Sequence, residues 1–159
     1  MPNVGDYFVV RTNGWAARLI QLGTGSKWNH AGVYLGNNQI VEARPVGVTL
    51  SELSKYDGKP IVWNTQIDTS LTETERLNIR ARAMEFVNDG YGVWSIINIA
   101  LKILFLGFFP NLKRAENEKS VICSQLVAWT YSSAAGIKLS NKPHALVTPK
   151  DLASRITEK

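Results

Sequence analysis

Two residue types in this chain can do nucleophilic chemistry together, a cysteine and a histidine. Cys123 is the only cysteine, and an amphipathic pattern starts just after it. Leu126, Val127, Trp129, Thr130, Ala134 and Ala135 recur at helical spacing, and Gly136 supplies a stop. Cys123 therefore sits at the start of a helix, where unpaired N–H groups and the positive dipole end gather. That setting favours the thiolate. A buried structural cysteine is the commoner state of a free Cys, so the chemistry needs a partner base.

His30 is the natural base. A cysteine hydrolase needs a thiolate, a group to carry its proton to the leaving group, and a third polar group to orient the imidazole. Residues His30 to Leu35 read as a strand, Gly36-Asn37-Asn38 as turn chemistry and Gln39 to Arg44 as the return strand. A three-residue loop pairs Leu35 with Gln39 and sets Gly32 opposite Glu42. His30 and Glu42 then share a face. A two-residue loop would put them on opposite faces. Taken alone, Glu42 reads as a solvent-facing strand residue. His144 is a competing base in the loop-like Asn141-Lys142-Pro143-His144, with no orienting carboxylate nearby.

The other elements must bring these residues together. Tyr7 to Val10 reads as a buried strand, and Trp15, Arg18, Leu19 and Leu22 as a short helix before Gly23-Thr24-Gly25. Val46 to Leu50 and Pro60 to Asn64 add strands, with a helical turn at Ser51-Glu52-Leu53. Thr72 and Glu75 fit a capping box for a helix from Glu73 to Asn88, with Leu77, Ala81, Met84 and Val87 on its apolar side. Val93 to Phe109 is strongly apolar but interrupted by Lys102, and its charge-free run is short of the ~20 residues of a bilayer span. It reads as a core helix with an exposed apolar end. Pro110 to Ser120 is a charged loop. Thr148-Pro149-Lys150-Asp151-Leu152 opens a last helix.

Composition bounds the function. With 159 residues, 45% of them hydrophobic and 19% charged, the chain suits one globular domain, 1–159. A single cysteine excludes a disulfide framework. One Cys and two well-separated His, with no CxxC, HxxxH or HExxH spacing, argue against a metal, and no cofactor is implied. The net charge of +5 and pI of about 9.4 favour an anionic partner such as cell-wall polymer or a membrane surface. The basic residues form no run of five or more, which argues against nucleic acid. The start Met-Pro-Asn-Val-Gly-Asp lacks a basic segment followed by an apolar one, so a cytoplasmic chain as synthesised is expected, with release or delivery to the cell wall as a later step.

The segment from Trp28 to Gly36, followed by Ile40-Val41-Glu42-Ala43, resembles the histidine hairpin of NlpC-type papain-like hydrolases. Cys123-Ser124-Gln125-Leu126-Val127 is similar to that family's nucleophile helix start. The order His, Glu, Cys resembles the circularly permuted, YiiX-like branch, of which lecithin–retinol acyltransferase is a more distant relative. Gly5-Asp6, Gly25-Ser26 and Thr148 to Leu152 also look like that branch.

The resemblance implies an α+β, permuted papain-like fold, with a curled antiparallel sheet packed against the cysteine's helix. It also implies an amide target, above all in a peptidoglycan stem peptide, as for a phage or bacterial lysis protein. Tyr91 and Trp28 would stand near the oxyanion or the substrate. The branch often has Tyr-Asp where this chain has Tyr91-Gly92. Three rivals share the same residues: a lipid acyltransferase or lipase touching membrane through Val93 to Phe109, a non-catalytic binding module, and a zinc site of Cys123, His30 and Glu42.

Overall fold

Five short runs rich in β-branched and aromatic residues pair into one antiparallel sheet. The computed structural model describes residues 2–44, 46–64, 70–88 and 123–157. The strands are β1 (Tyr7–Val10), β2 (His30–Gly36), β3 (Gln39–Arg44), β4 (Gly47–Glu52) and β5 (Ile61–Trp63), in the order β4-β3-β2-β1-β5. The α-helices are α1 (Trp15–Thr24), α2 (Glu73–Asn88), α3 (Cys123–Ala135) and α4 (Pro149–Thr157). A 3₁₀ turn at Leu53–Tyr56 follows β4, and another at His144–Leu146 precedes α4. The architecture is α+β, a curled sheet with α3 packed against β2 and β3.

The pleat divides the sheet into two faces. Tyr7, Val9, Ala31, Val33, Val41 and Ala43 build the main core with Leu126, Val127 and Tyr131 of α3 and Ile79, Ala83 and Phe86 of α2. Phe8, Val10 and Ile40 lie on the other face with Tyr56, Tyr34 and Trp63. The register sets His30 opposite Val10 and Gly32 opposite both Phe8 and Glu42. His30 and Glu42 therefore share the second face.

The hairpin reaches that register by a different route from a plain three-residue loop. Gly36 pairs with Gln39 across a two-residue turn, in which Asn37 and Asn38 have φ of 49° and 62°. Paired positive φ values are those of a type I′ turn, and Asn adopts them at small cost. The register then slips between Tyr34 and Gly36, a bulge at Leu35. One extra residue reverses the alternation. The bulge thus returns His30 to the face of Glu42, which the turn alone would have denied it.

The elements otherwise follow local chemistry. Thr72 and Glu75 cap α2 reciprocally, with Glu75 N–H donating to Thr72 Oγ1 at 3.2 Å and Thr72 N–H to Glu75 Oε2 at 2.8 Å. Thr148 and Asp151 do the same for α4. α1 runs through Gly23 to Thr24, and Gly25 ends it in the left-handed conformation. β4 continues to Glu52, so the helical turn expected from Ser51 begins at Leu53.

Two side-chain assignments change. The buried face of α2 is Ile79, Ala83 and Phe86, while Leu77 and Ala81 are exposed. Arg76 turns inward to the buried Asp6 at 2.6 Å, and this rotates the face. On α3 the inward aromatic is Tyr131, and Trp129 lies outside, stacked on Phe86. The segment from Val93 to Phe109 and the charged loop to Ser120 lie outside the described residues. Among the described residues, no helix is long and apolar enough to cross a membrane.

Gly32, opposite both Phe8 and Glu42, leaves room for the Phe8 ring. A Cβ there would come within 2.8 Å of that ring and 2.9 Å of the Val41 carbonyl oxygen. Gly32→Ala is expected to destabilise the protein by about 1–3 kcal/mol through overpacking, read as a fall in the urea midpoint at unchanged slope.

Candidate active site

Cys123 is the first residue of α3, and His30 is the first residue of β2. α3 packs on the main-core face, while the pleat points His30 to the other. The two meet because both stand at the ends of their elements. Asn29 fixes the start of β2: its Oδ1 accepts from Thr12 N–H at 3.0 Å and Thr12 Oγ1 at 2.9 Å, and its Nδ2 donates to the Thr12 carbonyl at 2.9 Å. The first turn of α3 is held by Ser124 Oγ, which donates to the Val147 carbonyl at 2.6 Å, and by Gln125, which donates to the Ala145 carbonyl.

Two groups act on His30. Its Nε2 lies 2.7 Å from Glu42 Oε2, and the Cys123 sulfur is near enough to act electrostatically on the ring. With Nε2 committed to the carboxylate, Nδ1 is the nitrogen left for the sulfur. Cys123 is 4% exposed. Burial pulls the imidazole toward its neutral form. The Cys123 sulfur, joined by the charge and hydrogen bond of Glu42, outweighs that and pushes its pKa up to about 9.

Glu42 is fully buried, contrary to its reading as a solvent-facing strand residue. A lone carboxylate there would be costly. It is fully engaged instead: Oε2 accepts from His30 and the Tyr56 hydroxyl, and Oε1 from the Lys55 ammonium. Burial opposes the carboxylate, but His30, Lys55 and Tyr56 together hold its pKa well below the usual carboxylate range. Burial and Glu42 drive the Tyr56 hydroxyl well above its ordinary pKa, so it stays protonated as a donor.

Lys55 and Tyr56 escape a reading of the sequence. Their residue types are common in surface turns, and only the burial of Glu42, thirteen and fourteen residues earlier, gives them a task. His144 stands in its own 3₁₀ turn, where burial and Lys138 push its pKa down. The carboxylate-anchored imidazole is His30. Trp28 is buried in the core cluster that also holds Cys123, with the Lys27 ammonium 5.1 Å from its ring centre. Tyr91 lies outside the described residues.

Among solved structures, the chain is similar to the crystal structure of the metalloprotein YiiX from Escherichia coli O157:H7. The two share 17% identity at a TM-score of 0.60, over 88% of this chain and 70% of that one. The fold is YiiX-like. At that identity the likeness concerns architecture alone. No family model matches the chain, and no curated protein does.

The raised pKa of His30 ties stability to pH. A group whose pKa is higher folded than unfolded contributes stability below its ordinary value and loses it as pH rises through the folded one. The urea midpoint should therefore fall between pH 6.5 and about 9. In His30→Gln that fall should flatten. Glu42 acts in the opposite sense, contributing above its ordinary 4.5 and losing that contribution as pH drops below it.

Proposed function

We propose that this protein is a cysteine hydrolase of the permuted papain-like kind, cleaving an amide bond with Cys123, His30 and Glu42. The observation that carries the reading is a single imidazole bonded to a buried carboxylate at 2.7 Å, with the chain's only cysteine among the groups that act on its charge. A cysteine buried for packing alone needs no such partner.

In the proposed mechanism the thiol proton moves to His30 Nδ1. The thiolate attacks the carbonyl carbon, a C–S bond forms, and the carbonyl electron pair moves to oxygen. The N–H of Cys123, free of intrahelical partners in the first turn, donates to that oxyanion. As the pair returns, the C–N bond breaks, and His30 gives its proton to the leaving amine. His30 next takes a proton from water, whose oxygen attacks the thioester. The C–S bond breaks, and the proton returns to sulfur. Glu42 stabilises the imidazolium at each stage.

The resemblance favours a peptidoglycan stem peptide as substrate, and the net charge of +5 suits an anionic wall. One observation supports a second reading, acyl transfer on lipid. Trp15 and Leu22 stand out from α1 at 68% and 76% exposure, seven residues apart beside the exposed Arg18. That is a face suited to an anionic membrane surface. YiiX is described as a metalloprotein. Here the donors do not fit a metal. Both oxygens of Glu42 already accept, one from an ammonium. Among the described residues no three His, Cys, Asp or Glu side chains are disposed to ligate one.

The test offers the protein cross-linked stem peptides and anionic phospholipid vesicles, and measures new amines and free fatty acid. Amine release is expected, falling at least about 10³-fold in Cys123→Ala and about 10²–10⁴-fold in Glu42→Gln. Fatty acid release instead would favour the lipid reading. Neither product from wild type would overturn both.

A further inference from the structure

Glu42 meets more partners than orientation of one imidazole requires. His30 reaches it from β2, Arg44 Nε lies 4.0 Å from its Oε1 on β3, and Lys55 and Tyr56 close over it from the 3₁₀ turn. Cys123 of α3 is the remaining titratable group that acts on His30. The turn is stapled to the tip of the β2–β3 hairpin: Leu53 N–H donates to the Asn38 carbonyl at 2.7 Å, and Ser54 N–H to Asn38 Oδ1 at 3.1 Å. The hairpin tip and the clamp are thus one unit.

We infer that Lys55 and Tyr56 are positioning residues, which lock the Glu42 carboxylate and set the pH range over which His30 stays protonated. The inference rests on the hydrolase reading. Tyr56 binds the same oxygen as His30, and its ring centre stands 6.0 Å from the imidazole's, so the carboxylate cannot turn without breaking both bonds. Lys55 claims the other oxygen, and its ammonium also lies 5.1 Å from the Tyr56 ring centre. Satisfying a buried carboxylate would need only neutral donors. An ammonium adds positive charge, which weakens the pull of Glu42 on the imidazolium. Removing it leaves the carboxylate to hold the His30 proton more tightly. Removing the Tyr56 hydroxyl leaves the oxygen shared with His30 more basic, with the same sign of effect.

The chain has two histidines, so imidazole resonances followed by NMR against pH are few, and His30→Ala assigns them. In Lys55→Met the His30 midpoint should move up by about 0.5–1 pH unit, while Lys55→Arg should keep the wild-type value. Tyr56→Phe keeps the ring and should also move the midpoint up. Midpoints in Lys55→Met and Tyr56→Phe that superimpose on wild type would overturn the inference and leave the hydrolase reading standing. A wild-type His30 midpoint at its ordinary 6.5 would remove the hold of Glu42 on the imidazolium, and with it both readings.

Discussion

A carboxylate buried where water cannot reach it organises this structure. Glu42 lies in the middle strand of a three-stranded meander, fully enclosed, and must be satisfied by protein donors. Three donors come from two places: His30 on the strand before it, and Lys55 and Tyr56 on the turn after β4. Each donor reaches it only if the hairpin register, the bulge and the return of the chain after Glu52 are right. The charge thus specifies the fold locally as much as it serves the site, since losing one partner of a buried pair costs about 3–5 kcal/mol.

A second polar assembly keeps the cysteine's helix in place. Asp6 pairs with Arg76 of α2. Tyr131 of α3 donates to the Gly5 carbonyl at 2.6 Å and accepts from Asn64 Nδ2 at 3.1 Å, and Asn64 Oδ1 takes the Tyr7 N–H at 2.8 Å. Gly5 has φ of 83°, and a Cβ there would come within 2.9 Å of the Arg76 carbonyl oxygen. β1, α2 and α3 are therefore pinned together. With the Ser124 and Gln125 bonds at its start, α3 has little freedom to draw its sulfur away from His30.

Much of this was legible in the sequence because it is local chemistry. A helix beginning at Cys123, the Thr72–Glu75 cap and the strands around His30 and Glu42 follow from spacing and caps. The Gly32–Glu42 pairing was also legible, although for the wrong loop. A period-2 pattern does not reveal a bulge, and the two Asn residues that favour a two-residue turn concealed the compensating residue at Leu35. The face of α2 was missed because Arg76 reads as a surface residue until Asp6 is known to be buried. Lys55 and Tyr56 were invisible for the same reason, since their role exists only once a distant carboxylate is enclosed. Substrate chemistry is a further step from the backbone, and no spacing encodes it.

The central claim is that His30 activates the Cys123 sulfur. Iodoacetamide alkylation of Cys123 at neutral pH, in wild type and His30→Ala, tests it most directly. The account predicts alkylation that is at least about tenfold faster in wild type than in the variant. A rate that the substitution leaves unchanged would contradict it.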